Sequence, residues 1–148
     1  MLRISKLTDY AILLMVELTR EQEMLSAHAL AERIHVEAPT AGKVLKQLAS
    51  AGLVESFRGA NGGYRLARNA DEIMVGQIHR LVDGPLAPAP CASVTQYRAC
   101  DWCQDEATCE LKTVWTRVRD AISGVMDTTS LGDLVREGAV LTVDKYAI

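Results

Sequence analysis

Every cysteine of the 148-residue chain lies in one stretch, CASVTQYRACDWCQDEATC, with the spacing C-x8-C-x2-C-x5-C. Four soft thiolate donors within nineteen residues, on a segment with no long apolar run, suit a thiol-bound tetrahedral metal or an iron-sulfur cluster. Cys91, Cys100, Cys103 and Cys109 are the candidate ligands. The chain has no run of about 18 apolar residues, and its N-terminus carries charges and an amphipathic pattern in place of a signal peptide. It therefore reads as a cytoplasmic protein with no membrane partner, in a compartment where clustered cysteines are more often ligands or redox centres than disulfides. Three chemistries stay open: an iron-sulfur cluster, structural zinc, and a thiol-redox switch that pairs Cys100 with Cys103.

The second chemistry is electrostatic. The net charge of −3 argues against nucleic acid only if charge is spread evenly, and it is not. Residues 1–68 hold nine Lys or Arg against seven Asp or Glu, and residues 69–148 hold seven against twelve. Within 38–68, Lys43, Lys46, Arg58, Arg65 and Arg68 face Glu55 alone. Such a local excess suits a surface that neutralises DNA phosphates.

These groups need elements to position them. At 49% hydrophobic and 24% charged, the chain can bury the core of one compact domain or two small lobes. Leu7, Tyr10, Ala11, Leu14 and Leu18 recur at helical spacing, predicting a helix from Ile4 to about Arg20. Ser26 is a plausible cap for a second helix ending near Ile34, and Pro39 falls in the first turn of a third that runs to about Ser50. In that third helix Ala41, Val44, Leu45 and Leu48 share an inward face. Pro39, Thr40, Lys43, Lys46 and Gln47 lie outward, where hydroxyl, amide and ammonium groups can donate to phosphates or base edges. LVESF, the turn RGANGG and YRLA then form a hairpin that carries Arg58, Asn61, Tyr64 and Arg65 at or near its tip. Helix, turn, helix and basic hairpin in this order make a winged helix-turn-helix.

Residues 70–82 predict a brief strand and a short helix, stopped by Asp83, Gly84 and Pro85. DGPLAPAP is an extended, semi-rigid arm leading to Cys91. From Leu111, a wide apolar stripe through Val114, Trp115, Val118, Ala121, Ile122, Val125 and Met126 predicts a helix over Glu110–Met126. Little chain remains to cover that stripe, so a homodimer is expected, with this helix against its symmetry mate and the first helix. Thr128 or Ser130 caps a short helix LGDLV, and a loosely held tail begins near Glu137. The organisation read is a DNA-binding unit over 1–82, a cysteine-rich loop over 83–110, dimerisation and C-terminal helices over 111–137, and a tail over 138–148. No internal repeat or low-complexity segment is expected from the sequence pattern. His28, His35 and His79 are scattered, with no nucleophile motif or phosphate loop nearby, so neither an enzyme nor a small-molecule substrate is expected.

KLTDYAILLM, RGANGGYRLAR, DEIMVGQIHRLVDG, the cysteine segment and TTSLGDLV together resemble the IscR/NsrR-type family of transcription regulators over nearly the whole chain, and most of all the regulators of the SUF iron-sulfur assembly system. The resemblance implies a homodimeric winged helix-turn-helix repressor carrying one cluster per subunit, [2Fe-2S] or [4Fe-4S], whose state changes affinity for double-stranded DNA. Cys91, Cys103 and Cys109 match the family's three cysteines, while Cys100 is extra. Lys112 stands where the cluster-assembly regulator has a histidine ligand. Asp9 matches an aspartate that the partner subunit supplies in the nitric-oxide sensor, so Cys100 and Asp9 are the alternative fourth ligands. Gly42 replaces a glutamate that tunes sequence preference, so the DNA sequence read should differ. The resemblance further implies groove contacts by Thr40, Lys43 and Gln47, and backbone or minor-groove contacts by Arg58 and the wing tip.

Overall fold

The computed structural model describes residues 4–21, 23–100 and 107–138. Its elements run α1 (Lys6–Arg20), α2 (Ala27–Arg33), α3 (Ala38–Ser50), β1 (Val54–Phe57), β2 (Gly63–Leu66), α4 (Val75–Asp83), α5 (Glu110–Thr128) and α6 (Leu131–Gly138), with 3-10 turns at Ala70–Glu72 and Pro90–Ala92. The strands pair antiparallel from Val54↔Leu66 to Phe57↔Gly63. This is a mostly α winged helix-turn-helix with a long additional helix, the class that periodicity predicts.

Local chemistry explains the boundaries. Ser5 Oγ accepts from the Thr8 N–H at 3.3 Å and Ser26 Oγ from the Ala29 N–H at 3.1 Å, capping α1 and α2. Both helices of the helix-turn-helix end in one way, with a left-handed residue, His35 (φ 56°) after α2 and Gly52 (φ 71°) after α3. The following N–H groups turn back, Val36 to Ala31 O and Leu53 to Leu48 O, each at 3.0 Å. This motif consumes the last free carbonyls and sets the exit angle of the chain.

Leu14, Met15, Leu30, Val44, Leu45, Leu48, Ile73, Ile78 and Leu131 are fully buried and form one core with Ala41. Burying each large side chain stabilises by roughly 1.5–3 kcal/mol. Asp83, at the end of α4, reaches the start of α1, accepting from the Ser5 N–H at 2.9 Å and the Thr8 hydroxyl at 2.8 Å. Burial alone would raise the Asp83 carboxyl, but these hydrogen bonds and nearby His79 outweigh it and hold it below the usual carboxylate range.

Two expectations change here. The stretch before α4 is a 3-10 turn and a single bridge, not a strand, because the Asn69 side chain accepts from the Asp71 N–H at 3.0 Å and tightens the chain. The expected absence of an internal repeat is also overturned: DEIMVGQIHR (71–80) and DTTSLGDLVR (127–136) fold alike. Met74 and Ser130 form an antiparallel bridge, with Val75 N–H donating to Thr129 O and Leu131 N–H to Ile73 O, each at 2.9 Å. Each helix is then capped from its third position, Met74 N–H by Gln77 Oε1 at 3.2 Å and Ser130 N–H by Asp133 Oδ2 at 2.9 Å. Each segment's aspartate pairs with the other's arginine, Asp127 with Arg80 at 2.6 Å and Asp71 with Arg136 at 2.8 Å. The carboxylates lie where a Cβ on Gly76 or Gly132 would sit, so each glycine makes room for the crossed pair. Only Asp, Gly and Arg are shared by identity, which is why the repeat is hidden in the sequence.

Through this clasp α6 joins the core, with Leu131 buried and Leu134 and Val135 packed beside it. Ser130, not Thr128, is its cap, and the helix continues to Gly138; the expected tail beyond lies outside the described residues. The arm after α4 is seated, not free, since Leu86 and Pro88 are buried and Pro90 opens a 3-10 turn. α5 runs two residues beyond the expected Met126 and has no buried residue; its apolar stripe is exposed at Leu111, Val114, Trp115 and Val125, from 38% at Trp115 to 66% at Val125, and half-buried at Val118, Ile122 and Met126.

Candidate nucleic-acid interface and cysteine site

α3 presents its polar face as expected. Pro39, Lys43, Lys46, Gln47 and Ser50 line an open groove of about 490 Å³ with Ala51 and with Leu81 of α4. Lys43, Lys46 and Gln47 are exposed, and Thr40 is half-buried. The wing adds exposed Arg58 and Asn61 at its turn, where the Gly62 N–H donates to Gly59 O at 3.0 Å.

The other two wing residues have structural work. Tyr64 is half-buried, its ring against the core, and its backbone exchanges hydrogen bonds with Leu25, Tyr64 N–H to Leu25 O at 2.8 Å and Leu25 N–H to Tyr64 O at 3.1 Å. A Cβ on the preceding Gly63 would lie 2.7 Å from Leu25 O, so only glycine lets the wing dock there. Arg65 pairs with Glu55 across the hairpin at 2.8 Å and stacks over the Phe57 ring at 4.8 Å. Lys43, Lys46, Arg58 and exposed Arg68 form no ion pair among the described residues, and of these Lys43, Lys46 and Arg58 lie on α3 and the wing turn.

The cysteine site is partly assembled. Cys91 is buried within the Pro90–Ala92 turn, Cys100 is exposed, and half-buried Cys109 is the N-cap of α5. Cys91 and Cys100 line one cavity of about 470 Å³ with Ala89, Pro90, Arg98 and, from α5, Leu111 and Trp115. Arg98 N–H donates to Pro90 O at 3.2 Å, folding the loop back on the turn. Lys112 stacks over Tyr97 at 5.2 Å and so ties the loop to α5. Cys103 lies outside the described residues. Among those described, no three His, Cys, Asp or Glu side chains converge as a metal site, and Asp9 is exposed on the first turn of α1.

Periodicity missed Arg119. Its Nη1 donates to the carbonyl of Ala92 at 2.9 Å, linking α5 to the turn that carries Cys91. Its one signal in sequence is its place four residues after Trp115, on the same helical face. His79 is buried beside Asp83 at 3.9 Å and exposed His28 pairs with Glu32 at 3.3 Å, both intramolecular roles.

The Rrf2 family model, described as an iron-dependent transcriptional regulator, matches residues 4–137. The chain is 31% identical to the HTH-type transcriptional regulator CymR of Bacillus subtilis over 135 residues, covering 90% of this chain and 89% of that one. The solved structure of that protein, described as a global cysteine regulator, matches with a TM-score of 0.75 and 33% identity over 92% of this chain and 98% of its own. The structure of T. potens IscR matches with a TM-score of 0.72 and 30% identity, covering 93% and 88%. IscR of Photobacterium profundum is 32% identical over 111 residues, 75% of this chain and 61% of that protein. A matching fold, an exposed cationic α3 and relatives that are regulators, not enzymes, agree: the chain belongs to the Rrf2 family of winged helix-turn-helix transcriptional regulators, which act by binding DNA.

Proposed function

We propose that this regulator senses an iron-sulfur cluster and, as a homodimer, represses genes of iron-sulfur assembly of the SUF type. The observation that carries the reading is the cavity shared by Cys91 and Cys100 and walled by Leu111 and Trp115 of α5. Soft thiolates beside apolar walls suit a cluster, with Cys103 and Cys109 completing the donor set and Asp9 of the partner subunit as the alternative to Cys100. When bound, the cluster would supply a redox-sensitive charge and a covalent tie across the loop. The exposed stripe of α5 supports the dimer, since an uncovered apolar helix face is costly in water. In that dimer α3 enters the major groove with Thr40, Lys43, Lys46 and Gln47, while Arg58 and Asn61 follow the backbone. Tyr64 and Arg65 seat and stiffen the wing.

A second reading, a thiol-redox switch that pairs Cys100 with Cys103, draws support from the similarity to CymR, whose Staphylococcus aureus form is also solved oxidized. One experiment separates the readings. Anaerobically purified protein is assayed for iron, acid-labile sulfide, zinc and visible absorbance, beside Cys91→Ala, Cys100→Ala and Asp9→Ala, and its binding to DNA upstream of SUF genes is measured. Stoichiometric iron and sulfide are expected, with the cluster lost in Cys91→Ala and in whichever of the other two removes the fourth ligand. Colourless protein with zinc and no sulfide, or metal-free protein whose DNA binding follows reductant, would overturn the cluster reading.

A further inference from the structure

We infer that Arg119 is the positioning residue of the cysteine site, clamping the turn that carries Cys91 to α5. The inference deepens the cluster reading and rests on it for the role of the ligands. The turn Pro90–Ala92 is a single 3-10 turn with two backbone hydrogen bonds of its own, Ala92 N–H to Ala89 O at 3.0 Å and Ser93 N–H to Pro90 O at 3.3 Å, a third from the exposed loop, Arg98 N–H to Pro90 O at 3.2 Å, and no side-chain cap. So short an element does not hold its place alone. Yet Ala92 is 2% exposed and Cys91 9%, so something fixes the turn against the body.

Arg119 does so from α5. Its guanidinium is oriented by the adjacent carboxylate, Nε and Nη2 lying 2.8 and 2.7 Å from Asp120 Oδ1, which aims Nη1 at the Ala92 carbonyl 2.9 Å away. The Arg119 side chain is 20% exposed, so this charge-assisted bond is only partly screened by water. Trp115, one turn earlier on the same face, walls the cavity that Cys91 lines. The bond spans 27 residues and closes a ring of chain, 92–119, that contains Cys100, Cys103 and Cys109. Cys109 heads α5, and Arg119 ties the Cys91 turn to the same helix, so the outermost ligands of the motif share one rigid support. Closing that loop in advance lowers the entropy cost of gathering the donors. It also means that ligation acts on α5 from both ends of the motif.

The test uses the full chain, reduced and metal-free, with the rate of iodoacetamide labelling at Cys91 read by peptide mass spectrometry and exposed Cys100 as internal control. Arg119→Ala should label at Cys91 about ten-fold faster than wild type, as expected for loss of one charge-assisted hydrogen bond, with Cys100 unchanged; Arg119→Lys should recover most of the protection. Reconstituted Arg119→Ala should also release iron to a chelator faster and show altered visible circular dichroism. Equal Cys91 labelling in wild type, Arg119→Ala and Arg119→Lys would overturn the clamp. Failure of Arg119→Ala to fold leaves the decision to Arg119→Lys, which must label Cys91 faster than wild type with the same melting transition. Absence of iron and sulfide from wild type would instead remove the cluster reading, with the clamp still judged by labelling.

Discussion

The two ends of α5 are held by different physics. At the C-terminal end the chain enters a doubled clasp: backbone bridges, two helix caps, crossed Asp–Arg pairs, and Leu131 fully buried directly beyond. At the N-terminal end, Leu111, Val114 and Trp115 are 55%, 51% and 38% exposed, and contact with the body comes through the Pro90–Ala92 turn, with Arg119 as the polar tie. One end runs directly into the core of the winged body, at Leu131. The other is a surface that carries the cysteines. Under the proposed function, a helix fixed at one end and held at the other by one polar tie would turn changes at the cysteine loop into changes in helix direction relative to α3. Regions that move in regulation are drawn from the low-stability end of a molecule, and this contrast locates that end.

The sharpest way to break the contrast is to truncate one leucine at each end. Leu131→Ala removes a fully buried side chain and should lower stability by about 2–5 kcal/mol, read as a fall in the urea midpoint at unchanged slope. Leu111→Ala removes a 55% exposed side chain and should shift the midpoint of the dilute chain by at most about 0.5 kcal/mol. If the dimer uses α5, the deficit of the second variant relative to wild type grows with protein concentration, while that of the first does not. Equal losses at both ends would mean that α5 is no lever.

A smaller effect comes from the cap that starts α6. Ser130 Oγ accepts from the Asp133 N–H at 3.0 Å, and the Asp133 carboxylate accepts from the Ser130 N–H at 2.9 Å and hydroxyl at 2.7 Å. Ser130→Ala should cost about 1 kcal/mol, within the range of lost N-caps. These bonds, backbone first, with Arg136 behind them, hold the Asp133 carboxyl at about 2, down from 3.8. Because the folded value is the lower one, its contribution is complete above pH 3.8 and is lost as pH falls through about 2. Acid unfolding of wild type should therefore steepen in that window, and Ser130→Ala should flatten it.

How much of this is legible in the sequence follows the same divide. The winged body was readable because its signals are local: Ser26 at a helix start, Pro39 in a first turn, and the inward set Ala41, Val44, Leu45 and Leu48 all lie where the sequence puts them, though the first helix starts at Lys6 behind the Ser5 cap and not at Ile4. The wing was readable as a hairpin, but the roles of Tyr64 and Arg65 were not, because they depend on Leu25 and Glu55 from other segments. The clasp was hidden because its two halves are 56 positions apart and share roles more than identities. Arg119 was hidden for a stronger reason: its partner is a backbone carbonyl, and a carbonyl has no sequence signature. For the cysteines, spacing named candidate donors and the structure places Cys91 and Cys100 on one cavity, while no three candidate donors come together within the described residues.

The smallest predicted effect is the most discriminating about what makes the clasp rigid. Arg80 and Asp127 pair at 2.6 Å, but their side chains are 46% and 41% exposed, and water screens such pairs. A double-mutant cycle of Arg80→Gln and Asp127→Asn should therefore give a coupling of about 0.2–1 kcal/mol, shrinking in 1 M salt, where the screening length is about 3 Å. A coupling near 2 kcal/mol or above would make the crossed ion pairs the fastener. With a small coupling, rigidity falls to the Met74–Ser130 bridge and to buried Leu131, Ile73 and Ile78, none of which titrate or respond to salt. In that case conditions that alter charge at the cysteine loop leave the pivot of α5 unchanged, so any motion they cause appears as rotation about a fixed C-terminal end and not as release of the helix from the winged body.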